Sequence, residues 1–179
     1  MKVRETTLPG VLLIEPEVFF DDRGWFLETF HAAKFEAHGL PSVFLQDNQS
    51  FSKKNVLRGL HYQLEQPQGK LVRCTRGRIL DVAVDIRRSS PNFGRHTSAI
   101  LDDENRHQLW IAPGFAHGFS VLSDEAEVSY KCSTLRHASS ERSVLWNDPE
   151  LAIDWHVASP IVSAKDAAAP PFRAADVFA

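Results

Sequence analysis

The rhythm of its apolar residues most limits what this chain can fold into. Short runs rich in β-formers recur at Val11–Ile14, Trp25–Phe30, Val43–Leu45, Val56–Gln63, Lys70–Arg76, Ile79–Ile86, Thr97–Leu101, Gln108–Ile111, Gly118–Leu122 and Glu127–Ser133. Turn formers separate them, among them Asp22-Arg23-Gly24, Gln68-Gly69, Arg76-Gly77, Ser90-Pro91-Asn92 and Pro113-Gly114. Many short strands at close spacing pack as a sandwich or a barrel, so the pattern predicts an all-β chain. Asp81–Ile86 alternates polar and apolar residues, the period of a strand with one solvated face. His31–His38 reads as one short helix, stopped by Gly39 and Pro41. The Ala- and Pro-rich stretch 163–179 reads as an irregular tail. No repeat or linker interrupts the pattern, so residues 1–179 read as a single domain.

Composition then removes several function classes. The 20 basic and 23 acidic residues leave a net charge of −3, which provides no global field to attract nucleic acid. Any phosphate must be held by local Arg and Lys side chains, which points to a small anionic ligand. No apolar run approaches the roughly 20 residues a membrane span needs. The start, Met1-Lys2-Val3-Arg4-Glu5, lacks the apolar stretch of a signal peptide. Cys74 and Cys132 both fall in strand-like segments, which fits a reduced, cytoplasmic protein better than a disulfide framework.

The chemistry-bearing residues are scattered. His61 lies in a strand-like segment broken by Gly59, where a glycine suggests a bulge or a close backbone approach. A histidine there can move protons near neutral pH, although taken alone it is more readily a hydrogen-bonded core side chain. His117 follows Pro113-Gly114. A metal-binding barrel of this kind would place a second His two residues after His61, and Gln63 stands there instead. Scattered histidines without a compact ligand set suit a transition metal poorly, so the barrel reads as metal-free. Lys70 opens a strand and, pointed inward, would steady a developing enolate oxygen, with Asp81 as a possible partner. Tyr130 can serve as an acid if its hydroxyl meets a cavity. Arg23 and Arg58 are candidate phosphate ligands, since a guanidinium fork matches phosphate oxygens. Asp166 matters only if the tail folds back to orient a histidine.

In sequence order these signals resemble the dTDP-4-dehydrorhamnose 3,5-epimerase family. The resemblance rests on Phe20–Phe26, Gln46–Ser50, Val56–Gln63, Gln68–Arg73, Asp81–Arg87, Ser89–Gly94, Gln108–Phe119, Tyr130–Cys132, Leu145–Asp148 and Ser163–Asp166. It spans roughly residues 3 to 170 in register. It implies a cupin-like jelly-roll β-barrel with few peripheral helices, a homodimer, and no metal or organic cofactor. It implies epimerisation of dTDP-4-dehydro-6-deoxyglucose at C3 and C5. By resemblance His61 is the base, Tyr130 the acid on the opposite face, Asp166 the group that orients His61, and Lys70 the enolate stabiliser. His117 would contact the sugar. Arg23, Glu28, Gln46, Asn48, Arg58, Glu141 and Lys165 would line the nucleotide site, with Arg23 and Glu28 free to reach it from a partner subunit.

The chain departs from the family where Leu135 and Arg136 stand in place of an aromatic pair. An aromatic there would stack on the base, and Arg136 could stack in its place or add a phosphate contact. Three alternatives compete: a C3-only epimerase with the same proton-transfer groups, a metal-dependent cupin, and a non-catalytic nucleotide-binding barrel. No Gly-rich dinucleotide fingerprint calls for a hydride carrier.

Overall fold

The computed structural model describes every residue from Met1 to Ala179. Its strands run in chain order as β1 (Lys2–Glu5), β2 (Val11–Glu15), β3 (Val18–Asp21), β4 (Gly24–Leu27), β5 (Gln46–Lys53), β6 (Leu57–Gln63) and β7 (Lys70–Arg76). They continue as β8 (Arg78–Asp85), β9 (His96–Asp102), β10 (Gln108–Ile111), β11 (Phe115–Val121), β12 (Glu125–Cys132) and β13 (Glu141–Ser143). Helix is confined to α1 (Ala32–Ala37), inside the stretch expected to be helical, and α2 (Ala164–Ala167), apart from short 3-10 turns.

The strands form a six-stranded sheet ordered β1-β2-β10-β7-β12-β5 and a five-stranded sheet ordered β13-β6-β11-β8-β9. From β5 to β12 successive strands alternate between the two sheets except at β8 and β9, which are neighbours in the five-stranded sheet, so most hydrogen-bonded neighbours are distant in sequence. This is the cupin-like jelly roll. β3 and β4 pair only with each other, as a separate hairpin.

Three apolar clusters follow from the two-residue period of the strands. The barrel interior is filled by Val11, Val72, Ile79, Ala83, Leu101, Leu109, Phe115, Phe119 and Val128, among others. The outer face of the five-stranded sheet, with Leu60, Tyr62, Leu80, Val82, Val84 and Ala116, is covered by Leu151, Trp155, Phe172, Ala175 and Val177 from the last third of the chain. On the other sheet Phe35 of α1 and Leu40 cover Ile14, Leu71 and Trp110.

Several expectations change here. β8 is buried on both faces, not one, because residues 151–177 cover its outer side; Asp81 and Asp85 are both fully buried. The tail is not wholly irregular. Ser163 caps α2 by accepting a hydrogen bond from the Asp166 amide at 3.1 Å, and Asp148 accepts one from the Phe172 amide at 2.8 Å, anchoring the return path. Val43–Leu45 forms no strand, and the expected strand over Trp25–Phe30 ends at Leu27. The polar segment Gln46–Lys53, by contrast, is a full-length strand paired along β12. β1, β3 and β13 were also not foreseen; all three are short and carry little apolar pattern inward.

One irregularity sets which side chains enter the barrel. His117 pairs with His61, but Phe119 pairs with Arg58, so two residues of β11 span three of β6. The extra residue is a β-bulge at Gly59. Gly59 has φ +134°, and a Cβ there would sit 2.6 Å from Gly118 Cα and 3.0 Å from the His117 carbonyl oxygen. A side chain at Gly59 would therefore meet both backbone strain and overlap. We expect Gly59→Ala to lose about 3 kcal/mol or more of stability by urea unfolding. A loss below about 1 kcal/mol would show that the two backbones have room to part.

Candidate active site

Because of the bulge, Arg58 and His61 both face inward although three positions apart, while Leu60 and Tyr62 face the outer cluster. Inward from the same sheet comes His117; inward from the facing sheet come Lys70, on β7, and Tyr130, on β12. These side chains line one cavity of about 460 Å³. A contiguous space of about 260 Å³ shares His61, Lys70, Tyr130 and Lys165 and adds Gln46, Asn48, Arg136 and Glu141. The first space also has an apolar wall of Val56, Phe119, Ile161 and Val162.

The tail does fold back. Asp166 Oδ1 lies 2.6 Å from His61 Nε2, and Asp166 is buried while the His61 side chain stays 40 % exposed to the cavity. Ser163-Ala-Lys-Asp166 has the spacing of a helix capping box. In such a box the acidic side chain reaches back to the cap; here it is directed to His61 instead. Burial alone would raise the Asp166 carboxyl, but hydrogen bonds from His61, the Gly59 amide and Ser163 and the charge of His61 outweigh it and hold the group below its ordinary value. An ionised Asp166 only accepts, so the nitrogen facing it carries the proton, and in the neutral ring the opposite nitrogen holds the lone pair.

His117 is built differently. Its Nε2 donates to both oxygens of Asp81, at 2.9 and 3.0 Å, and both residues are buried. Burial pushes the His117 pKa down against the opposing pull of Asp81, so the ring is neutral near pH 7 and offers its second nitrogen as an acceptor. Asp81 therefore corrects the expectation of a direct Lys70 partner: it lines neither space, its hydrogen bonds go to His117, and it reaches Lys70 only through its charge. The reason is register, since Asp81 pairs with Phe119 on β11 and lies diagonally across from His117.

Lys70 donates to the His61 carbonyl at 3.4 Å and has no ion pair. Burial lowers its pKa. Burial also raises the Tyr130 phenol, which is protonated near neutrality. Arg58 is held by Ser52 Oγ at 3.0 Å and the Phe51 carbonyl at 3.2 Å. Gln46 donates to Asn48 Oδ1 at 3.0 Å and accepts from the Arg136 amide at 2.8 Å. Glu141 takes a bidentate contact from Arg136, at 2.6 and 3.1 Å, and lies 3.6 Å from Lys165.

Arg23 and Glu28 stand apart from the cavity within one chain. Arg23 is 89 % exposed at the tip of the β3–β4 hairpin and pairs with Asp21; Glu28 pairs with Lys34 at 2.8 Å. Gln63, read from sequence only as the absence of a histidine, lines the space beside Glu141 and is fully hydrogen-bonded. Its signal would have been its inward parity with His61 once the bulge was placed. No group of three or more His, Cys, Asp or Glu side chains is assembled that could hold a metal ion. The cavity thus joins an imidazole oriented by Asp166, a second held by Asp81, one phenol, one half-buried ammonium and a cationic rim, a set suited to moving a proton beside a carbonyl.

A sequence profile described as dTDP-4-dehydrorhamnose 3,5-epimerase matches residues 5–174. A protein of that name from Shigella flexneri is 53 % identical over 180 residues, covering 99 % of each chain. Another from Methanothermobacter thermautotrophicus is 50 % identical, covering 97 % of this chain and 96 % of its own. The crystal structure of a dTDP-6-deoxy-D-glucose-3,5-epimerase from Legionella pneumophila, in complex with dTDP-4-keto-L-rhamnose, superposes with a TM-score of 0.95 at 47 % identity, covering 98 % of this chain and 94 % of that one.

The depressed Asp166 carboxyl links the site to acid stability. A carboxylate whose folded value lies below its unfolded value of about 3.9 stabilises the fold fully above that value and loses the contribution as pH falls through the folded one. Urea unfolding of Asp166→Asn should accordingly fall less steeply than that of the parent between about pH 5 and pH 2. Parallel profiles would mean the carboxyl titrates alike in both states.

Proposed function

The chain belongs to the dTDP-4-dehydrorhamnose 3,5-epimerase family, and we propose that it epimerises dTDP-4-dehydro-6-deoxyglucose at C3 and C5 through the groups assembled around His61. The observation that carries this reading is the placement of base and acid. His61 comes from the five-stranded sheet and Tyr130 from the six-stranded sheet, into one cavity, with the Lys70 ammonium between the same walls.

The hydrogens at C3 and C5 both flank the C4 ketone. The free nitrogen of His61 takes one of them, Asp166 stabilises the resulting imidazolium, and the electron pair moves to O4. Lys70 offsets the developing charge on that oxygen. Tyr130 delivers a proton to the opposite face of the same carbon, inverting it. The phenolate is then reprotonated and the imidazolium deprotonated by solvent. Both carbons share one oxygen, so one cation serves both steps. His117, neutral and held by Asp81, accepts from a sugar hydroxyl. Arg58 and Lys165 hold the diphosphate, and Gln46, Asn48 and Glu141 line the nucleotide end.

We assign the working form as a homodimer. The β3–β4 hairpin exposes Phe20 at 71 % and Phe26 at 68 %, with Phe19 and Trp25 also exposed, an apolar surface suited to a second copy. The same hairpin carries Arg23, and Glu28 follows it, so its docking on a partner would bring both to the partner's cavity. Buried, unpaired Cys74 and Cys132 fit a reducing cytoplasm, and no helix is long and apolar enough to cross a membrane.

Proton NMR in D2O with dTDP-4-dehydro-6-deoxyglucose tests the reaction. Wild type should exchange and invert C3 and C5, and His61→Ala should lose both by about 10²–10⁴-fold. Tyr130→Phe should still wash deuterium in from the His61 face while losing inversion. Exchange confined to C3 would move the chain to the C3-only reading, and no exchange would refute the substrate. Sedimentation of a Trp25→Asp/Phe26→Asp variant tests the hairpin: we expect a monomer with a raised KM, and an unchanged dimer would rule out this surface.

A further inference from the structure

One stretch of the cavity rim is not held by strand pairing. Between β12 and β13 the chain runs through residues 133–140 with only a 3-10 turn at Ala138–Ser140. This stretch carries Arg136 and leads directly into Glu141, yet its backbone has few main-chain partners, all at its two ends: Ser133 N donates to Gly69 O, Ser140 N to His137 O, and Leu64 N to Ser140 O. Side chains fix the rest.

Gln63 is central among them. It is buried, and it lies on β6 two residues beyond His61, facing inward with it. Its amide nitrogen donates to the Leu135 carbonyl at 3.1 Å and to the Gln66 carbonyl at 2.8 Å. Its amide oxygen accepts from the His137 amide at 2.8 Å. Both donors are therefore used, on two carbonyls of facing loops, and the oxygen is used on a third backbone group. The contacts to Leu135 and His137 bracket Arg136. With the backbone gripped on both sides, and its own amide bonded to Gln46, Arg136 has little freedom except along its side chain, which is forked onto Glu141.

We propose that Gln63 is a positioning residue for substrate binding: it fixes the direction of Arg136 and, through the shared carboxylate of Glu141, the placement of Lys165 over the nucleotide end of the cavity. The inference rests on reading the cavity as a sugar-nucleotide site. It assigns Gln63 no contact with the reacting carbons, because its polar atoms are all committed to backbone groups. One strand thus carries the base and the pin for the rim, which holds the distance between the two ends of the substrate constant.

Gln63→Glu tests this. It keeps the side-chain length and the acceptor for His137, but turns the two donors into an acceptor facing two carbonyls. The Kd for dTDP by calorimetry and the KM for the sugar nucleotide should each rise about tenfold, the scale of one or two lost hydrogen bonds, while the exchange rate at saturating substrate stays within about twofold of wild type. The effect should pass through Arg136, so Gln63→Glu added to Arg136→Ala should cause little further loss of dTDP affinity. Should Gln63→Glu fail to fold, Gln63→Asn, which withdraws the amide by one methylene, serves in the same cycle. Unchanged dTDP affinity in a folded variant, a fall in saturated rate at unchanged KM, or full additivity with Arg136→Ala would each overturn the inference. Wild-type protein that neither binds dTDP nor exchanges the substrate would instead overturn the functional reading beneath it.

Discussion

The close approach of two backbones, Gly59 of β6 against Gly118 of β11, governs the rest of the molecule. A regular strand through Leu57–Gln63 would put Arg58 and His61 on opposite faces, and one of them would be lost to the outer cluster. The bulge inserts one residue and changes the parity, so Arg58, His61 and Gln63 enter the barrel while Leu60 and Tyr62 turn outward. The outward residues are not left to solvent. They form part of the apolar face that residues 151–177 cover, and the path of that covering segment returns Asp166 to His61. The same local shift thus places the base inside and provides the apolar surface that brings its carboxylate back.

The two histidines show how burial and partners divide labour between similar groups. Each is bonded to one aspartate. Asp166 sits behind a ring that is still open to the cavity, and the His61 hydrogen bond and charge hold it ionised against its own burial. The carboxylate is thus ready to stabilise an imidazolium as it forms. His117 is enclosed with Asp81, and burial keeps it neutral, so it is an acceptor and not a proton carrier. Lys70 and Tyr130 complete the opposition, one ammonium lowered and one phenol raised by the same loss of water.

Much of this was legible in the sequence, and the failures have physical causes. Most strands were visible because they fill a core and therefore carry apolar residues. β5 was not, because its inward residues Gln46, Asn48, Ser50 and Ser52 face the cavity and its partners, so a strand that lines a polar site lacks the apolar period. Val43–Leu45 has that apolar character, but only the Leu45 amide reaches a strand, donating to the Cys132 carbonyl at 2.9 Å, so no ladder forms. The family resemblance implied one site for His61, Lys70, His117 and Tyr130, which line one cavity. Asp81 was misjudged because side-chain partnership depends on diagonal register, which no single-strand pattern encodes. The capping box at Ser163–Asp166 was hidden within a stretch read as irregular, whereas the pairing of Asp166 with His61, more than a hundred positions earlier, came from the family resemblance and not from any local pattern.

The two ends of the cavity are consequently made by different physics. The deep end is set by strand register and by a backbone approach that admits no side chain, so its geometry varies little without loss of the fold. The rim is set by side-chain bonds to two facing loops and by one carboxylate, Glu141, shared between Arg136 and Lys165. Those contacts can be exchanged singly, at the cost of about one hydrogen bond each, without moving His61 or Tyr130. A substitution such as Leu135-Arg136 for an aromatic pair falls wholly within the rim. Ligand choice at the nucleotide end can therefore drift independently of proton transfer, provided the elements common to both stay in place: β6, which carries His61 and Gln63, and α2, which carries Lys165 and Asp166.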